Sequence, residues 1–257
     1  DRCVRIQNVL EPGTKRKTVT GSFDKCDQGR EVYQLKVLAV IPAYNEEENI
    51  ESVIERLQAE CPEVDYVIVN DGSADRTEEI CRARGYRMVS LPINLGLAGA
   101  VQAGMKYAMQ HDYDAAVQFD ADGQHRPEYI APLLARLNDG YDIVIGSRFV
   151  TQRKPFTLRM VGSYLISGAI RLTTGKTIKD PTSGMRIYNR TMIRELATRI
   201  NCALEPDTIS SFISRGARVD EIQVTMDERI AGTSYLNISR SIGYMLRVGV
   251  SILLLQR

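Results

Sequence analysis

From residue 35 onward the chain alternates between two hydrophobic periods that cannot belong to the same kind of element. That alternation restricts the fold more than any other feature of the sequence. Short runs rich in Val and Ile, at 35–41, 64–69, 86–91, 115–119 and 142–145, have the length and β-branched content of buried strands. Between them the period becomes helical. Ile50, Val53, Ile54 and Leu57 fall at i, i+3, i+4 and i+7, and 77–83, 97–109 and 128–137 repeat the pattern. Asn45 is placed to cap the first helix, with Glu46, Glu47 and Glu48 in its opening turn, where carboxylates complement the helix dipole. Strand–helix repeats of this kind build right-handed βαβ units, so the expected class is α/β with a mostly parallel, Rossmann-like sheet flanked by helices. Ligands of such sheets sit at the carboxyl ends of the strands.

The length of 257 residues, with 44% hydrophobic and 25% charged residues, suits one large domain. Residues 1–34 are polar and aperiodic and read as an appended arm of unknown role. Residues 35–233 form the domain, and 234–257 form a C-terminal amphipathic helix. There is no run of 18 apolar residues and no apolar signal-peptide core, which predicts a soluble chain. The five Cys are scattered with no C-x-x-C pair, which argues against a zinc module or disulfide scaffold and for a reducing compartment. The net charge of +1 conceals a segment, 148–190, with nine Lys or Arg against the single acid Asp180. Such a segment favours an anionic partner.

Three strand ends carry the informative residues: Ile41-Pro42-Ala43-Tyr44-Asn45-Glu46, Val69-Asn70-Asp71-Gly72-Ser73 and Phe119-Asp120-Ala121-Asp122-Gly123-Gln124-His125. None is a phosphate-cradling Gly-rich loop, so dinucleotide fingerprints and P-loops are excluded. Gly175-Lys176-Thr177 imitates the end of a P-loop, but Ile170 stands where its first Gly belongs. Two Asp-x-Asp pairs occur. Asp112 and Asp114 precede their strand, at the wrong edge of the sheet; Asp120 and Asp122 follow it, at the ligand edge. Two carboxylates there bind Mg²⁺ or Mn²⁺ and leave positions for diphosphate oxygens. The competing reading makes both of them loop-capping Asx residues.

Together these motifs resemble the inverting family 2 glycosyltransferases of GT-A fold. The later elements Gly146-Ser147-Arg148, Asp180-Pro181-Thr182-Ser183-Gly184-Met185-Arg186, Glu205-Pro206-Asp207 and Glu228-Arg229-x-x-Gly232-x-Ser234 are similar to those of the polyprenyl- and dolichyl-phosphate sugar synthases. The resemblance implies that Pro42, Tyr44, Glu46, Asp71, Asp120 and Ala121 bind the donor nucleotide. Asp120, Asp122 and Gln124 would hold a divalent metal, with Arg229 on the donor diphosphate. Arg148, Arg159 and Ser163 would bind the acceptor phosphate, and Asp180 is a candidate active-site carboxylate, with a structural role beside Pro181 as the alternative. One departure stands out: the acidic pair usual before Gly72 is Asn70-Asp71 here, which removes a carboxylate from the nucleotide pocket.

The resemblance thus implies a metal-dependent inverting transfer from a nucleotide sugar, a UDP-sugar first, to polyprenyl phosphate, giving a β-linked lipid-phosphate sugar for cell-surface glycan assembly. The chain would work as a cytoplasmic enzyme, peripheral on the inner face of the membrane, with no nucleic-acid partner and with a homo-oligomer open. A sugar-hydroxyl acceptor would need a general base, whereas a phosphate monoester, with a second pKa of about 6, is already anionic at neutral pH. Two other readings remain: a non-processive transferase acting on a glycan hydroxyl, and a non-catalytic nucleotide-sugar-binding protein. The processive Q-x-x-R-W motif is impossible in a chain without Trp. Along 234–257 the apolar stripe Ile238, Ile242, Met245, Leu246, Gly249, Ile252 and Leu253 suggests a helix lying on a membrane or on a small membrane-protein partner, the alternative being a helix packed on the domain.

Overall fold

The computed structural model describes residues 35–152, 154, 158–199, 206–228 and 252, with the side chains of residues 158, 159 and 206 outside that description. The arm expected over 1–34 and the C-terminal segment, apart from Ile252, lie outside the described residues. The central strand is β1 (Val37–Ala43), whose seven residues Val-Leu-Ala-Val-Ile-Pro-Ala are all buried. A strand covered on both faces has no polar side to present, which is why its sequence runs apolar without alternation. The other strands are β2 (Asp65–Asn70), β3 (Met88–Ser90), β4 (Ala115–Gln118), β5 (Ile143–Ser147), β6 (Arg186–Asn189) and β7 (Val219–Gln223), in the sheet order β3-β2-β1-β4-β6-β5-β7.

The helices are α1 (Ile50–Glu60), α2 (Thr77–Ala83), α3 (Gly96–Gln110), α4 (Ile130–Asn138), α5 (Leu158–Thr174), α6 (Arg190–Thr198) and α7 (Pro206–Ser214). One face of the sheet buries apolar residues of α3, α5, α6 and α7 and the other those of α1, α2 and α4, giving two cores separated by the strands. Ile252 is helical and fully buried in the first core. This one described position of the C-terminal stripe therefore faces protein. No helix among the described residues is long and apolar enough to cross a membrane.

The five strands expected from periodicity are present, with ends shifted by a residue or two. The expected cap on α1 is not. Asn45 adopts a left-handed backbone conformation (φ 55°), and its side chain accepts from the Ala74 amide at 2.8 Å. A turn closed by the Asn49 and Ile50 amides on Glu46 O intervenes, and α1 starts only at Ile50. Asn45 thus ties the first strand end to the second. Glu47 is likewise engaged outside the helix, accepting from the Arg76 amide and guanidinium.

Strands β6 and β7 carry no periodic signal, and β6 decides the geometry of the site. It runs antiparallel to both β4 and β5, with Arg186 opposite Gln118 on one side and Ile145 on the other. Its first residue therefore lies at the carboxyl ends of its neighbours, and the loop before it, 180–185, is delivered to the ligand edge.

Helix α3 approaches β1 closely enough that a Cβ on Gly104 would lie 2.1 Å from Val40 Cγ1, a β-branched side chain with no room to turn. Gly104→Ala should lower stability by about 2 kcal/mol through overpacking, read as a reduced urea midpoint at unchanged m-value. An unchanged midpoint would contradict this close contact.

Candidate active site

The turn after β4 holds the two carboxylates at the ligand edge. The Asp120 amide donates to His125 Nδ1 at 2.9 Å, so that nitrogen is unprotonated and the ring proton sits on Nε2, 3.6 Å from Asp120 Oδ2. Asp120 Oδ1 accepts from Gln118 Nε2 at 3.0 Å, fixing the carboxylate from its other side. His125 is itself held edge-on against Phe119 and is only 3% exposed. A Cβ on Gly184 would stand 2.6 Å from Asp120 Oδ2, so glycine leaves the space that this carboxylate occupies. Asp122 Oδ1 accepts from the Gln124 amide at 3.1 Å, an Asx turn, so the capping role weighed for this residue is present. Ala121 is buried in the core.

Gln124 turns its amide nitrogen towards Asp227 O at 3.4 Å, while the Asp227 amide donates to Gln124 O at 3.0 Å. The Asp227 carboxylate is held by Arg56 at 2.8 Å and Arg126 at 3.5 Å. The chain leaving β7 is thereby stitched to the turn after β4. Among the described residues there is no cluster of three or more His, Cys, Asp or Glu suited to a metal. Asp120, Asp122 and Gln124 would offer two carboxylates and one amide oxygen, all hard, a set whose chemistry suits a Mg²⁺ or Mn²⁺ ion that takes its remaining ligands from phosphates. The decoy pair is engaged elsewhere: the Asp112 carboxylate is largely exposed and faces Arg190, and Asp114 accepts from the Lys36 amide at the opposite edge.

The first two strand ends lie beside this turn. Pro42 is buried in β1, and the Glu46 carboxylate accepts from Asn49 Nδ2 at 2.7 Å. Tyr44 is half-buried at the strand exit. Asp71 Oδ1 accepts from the Leu95 amide at 2.7 Å; burial pushes its carboxyl above the ordinary range, partly offset by the Leu95 and Gly96 amides. Asn70, expected to bear on the nucleotide pocket, is fully buried and donates to Glu78 Oε2 and Ser90 Oγ while accepting from the Ser73 amide. An aspartate here would set a second carboxylate against Glu78. The amide serves the β2–α2 junction.

The acceptor-side residues expected from the sequence fall around the end of β5. Arg148 makes a two-pronged pair with Asp180, Nε–Oδ2 2.7 Å and Nη2–Oδ1 2.9 Å, and its amide also reaches Oδ2 at 3.2 Å. Asp180 is fully buried. Burial alone would raise its carboxyl pKa, but the Arg148 hydrogen bonds and charge outweigh it and hold the group below the usual carboxylate range. The Asp180 amide in turn donates to Glu221 Oε1 on β7 at 2.7 Å, and Thr182 Oγ1 donates to Asp180 Oδ1. Buried Arg186 donates to Ser183 O and Pro181 O, both at 2.8 Å, clamping the 180–184 loop from beneath. Ser163 is buried on α5 and accepts from Lys154 Nζ at 2.8 Å.

The Arg159 side chain and all of Arg229 lie outside the described residues. Sequence reasoning singles out Asp120, Arg148 and Asp180 but not the groups that hold Asp120 and the Asp180 loop: His125, Gly184 and Arg186 are visible only as motif letters, and Glu221 as a charge on an unrecognised strand.

The family model for Glycosyl transferase family 2 matches residues 38–197. The chain belongs to this family and is a glycosyltransferase of GT-A fold. It is 32% identical over 215 residues to the polyprenol monophosphomannose synthase of Mycolicibacterium smegmatis, covering 79% of this chain and 81% of that protein. With the undecaprenyl-phosphate mannosyltransferase of Micrococcus luteus it shares 31% identity over 216 residues, 79% of this chain and 88% of that one. The glucosyl-3-phosphoglycerate synthase of Mycobacterium tuberculosis, solved with Mn²⁺, UDP and phosphoglyceric acid, has the same fold. It superposes with a TM-score of 0.66 at 21% identity, over 86% of this chain and 78% of that one.

The positions of the two Asp-x-Asp pairs separate their effects. Asp120→Asn or Asp122→Asn should remove most sugar transfer, on the order of a hundredfold in kcat/KM, because each would lose a carboxylate expected to ligate the divalent metal. Asp112→Asn should leave it within about a factor of two, because an exposed pair with Arg190 contributes little. Equal losses at both pairs in a steady-state transfer assay would defeat the assignment.

Proposed function

We propose that the protein moves a sugar from a nucleotide sugar to a polyprenyl phosphate with inversion. The observation that carries this reading is the arginine held ready at the end of β5. Arg148 is fixed by a buried carboxylate at the strand edge where ligands of such sheets bind, and Lys154, six residues further on, donates to Ser163 of α5. The names of the polyprenol- and undecaprenyl-phosphate relatives support the same acceptor class.

On this reading the donor occupies the ends of β1, β2 and β4, and UDP is the first base to test. Asp120, Asp122 and Gln124 would hold Mg²⁺ or Mn²⁺. When bound, the ion neutralises charge on the departing nucleoside diphosphate. Arg229 follows by two residues Asp227, which is hydrogen-bonded to Gln124 in the turn after β4, and would act on the donor diphosphate. Arg148, Arg159 and Ser163 position the acceptor phosphate. Its oxygen is already anionic at neutral pH, so the attack calls for orientation and not for proton removal. That assigns Asp180 a positioning role: both of its oxygens are occupied by Arg148, and a carboxylate held below its normal pKa is a poor base.

Access to a lipid acceptor would be peripheral. Tyr164, Leu165 and Leu172 of α5 are exposed large apolar side chains on the helix that carries Ser163, a surface suited to the acyl boundary of a membrane. The C-terminal stripe would make a lesser contribution, since Ile252 is spent on the core.

Radiolabelled nucleotide sugar supplied with polyprenyl phosphate should yield an organic-extractable product labile to mild acid. Arg148→Ala should lower kcat/KM for the acceptor by about a hundredfold, the scale of one lost charged hydrogen-bonding pair, while nucleoside diphosphate binding persists. Label appearing only on soluble oligosaccharide acceptors would refute this reading.

A further inference from the structure

Between β5 and α5 one lysine is held in a way that the reading so far does not use. Lys154 follows Arg148 by six residues and is only half exposed. Its Nζ donates to Ser163 Oγ at 2.8 Å and reaches Ser167 Oγ at 3.5 Å, both one turn apart on α5. The ammonium lies 4.9 Å from the centroid of Tyr164 and 5.5 Å from that of Phe149, and the Phe149 ring also carries the Arg148 guanidinium, at 5.2 Å. The Tyr164 hydroxyl donates back to Lys154 O at 3.5 Å, so main chain and side chain of the lysine are both anchored to the same helix.

This cation makes no ion pair with a carboxylate among the described residues. The two acids that act on it through space are already engaged: Asp180 by Arg148, and Glu221 by the Lys179 and Asp180 amides. Burial outweighs them and pushes the ammonium below its ordinary pKa. A partly dehydrated ammonium whose hydrogen-bond partners are neutral hydroxyls keeps its full charge for an incoming anion. Ser163 adds a second handle. Its oxygen accepts from Lys154, which leaves its own O–H to donate onward, and a phosphate monoester accepts from both groups at once.

We propose that Lys154 is a further binding residue of the acceptor site, holding the acceptor phosphate between its ammonium and the Ser163 hydroxyl, with the Arg148 guanidinium against the same Phe149 ring. The proposal rests on the polyprenyl-phosphate reading above. Lys154→Met keeps the aliphatic stem against the two rings and removes the charge. Lys154→Arg keeps the charge. With a short-chain polyprenyl phosphate as acceptor, Lys154→Met should raise the acceptor KM about tenfold, the scale of one charged hydrogen bond, and leave the nucleotide-sugar KM within about twofold. Lys154→Arg should recover most of the acceptor affinity.

A lysine that merely braces the loop would move both KM values or neither, and either result overturns the proposal. So does an arginine variant as impaired as the methionine one. If Lys154→Met proves unstable, Lys154→Arg and competition of acceptor by inorganic phosphate, weaker in any stable neutral variant than in wild type, decide the matter. A wild-type protein that makes no lipid product from any polyprenyl phosphate sinks the acceptor reading and this role together; a wild-type protein that makes it, matched by Lys154→Met, sinks this role alone.

Discussion

Arg186 opens β6 opposite Gln118 and Ile145, at the carboxyl ends of β4 and β5, because β6 runs against both of its neighbours. The rest of the site depends on this reversal. A parallel strand in the same slot would deliver its leading loop to the far edge of the sheet. Run antiparallel, it lays residues 180–185 across the strand ends, where one end of the loop supplies Asp180 to Arg148 and the other leaves room at Gly184 for Asp120. The loop is held from below by Arg186 and from the side by Glu221. The carboxylate proposed to face a cation and the arginine proposed to face an anion are thus fixed by the two ends of one short segment.

The charges in this region are arranged in order of commitment. The Arg148–Asp180 pair is buried on the acid's side and makes two short hydrogen bonds, so removing either partner would leave an uncompensated group in the interior. Lys154 meets hydroxyls and two aromatic rings but no carboxylate among the described residues, and the anion it awaits is external on the proposed reading. Surface pairs such as Arg76 with Glu47 add little in high dielectric and serve to stitch neighbouring strand-end loops together. An excess of basic residues in 148–190 is therefore not one solvated face. Some of it is neutralised inside the fold, and some of it faces the place where a phosphate is proposed to sit.

How much of this the sequence disclosed follows from the range of the interactions. The five strands with strong apolar runs and the helices between them are set by local pattern and are found as expected, and the two Asp-x-Asp pairs lie before and after β4 as their place along the chain requires. β6 escaped because its four residues begin with an arginine and have no alternation; it is a strand only because β4 and β5 flank it. β7 is half-exposed beside β5 and reads as polar. Asn45 looked like a cap because its backbone conformation, which the sequence does not state, decides whether it caps or bridges. Gly184 and Lys154 act through neighbours far away along the chain or on another element, His125 through a turn conformation that links it to Asp120 five residues back, and no local period marks any of them.

The central claim is that Asp180 works through Arg148 and does not take a proton from the acceptor. A double-mutant cycle on Arg148→Ala and Asp180→Asn, read as kcat/KM for polyprenyl phosphate, tests it directly. If Asp180 serves only to hold the guanidinium, the double variant should be about as active as Arg148→Ala alone, because the second change removes the support of a group already gone. If Asp180 is a base in its own right, the two losses should multiply, and that result would contradict the account.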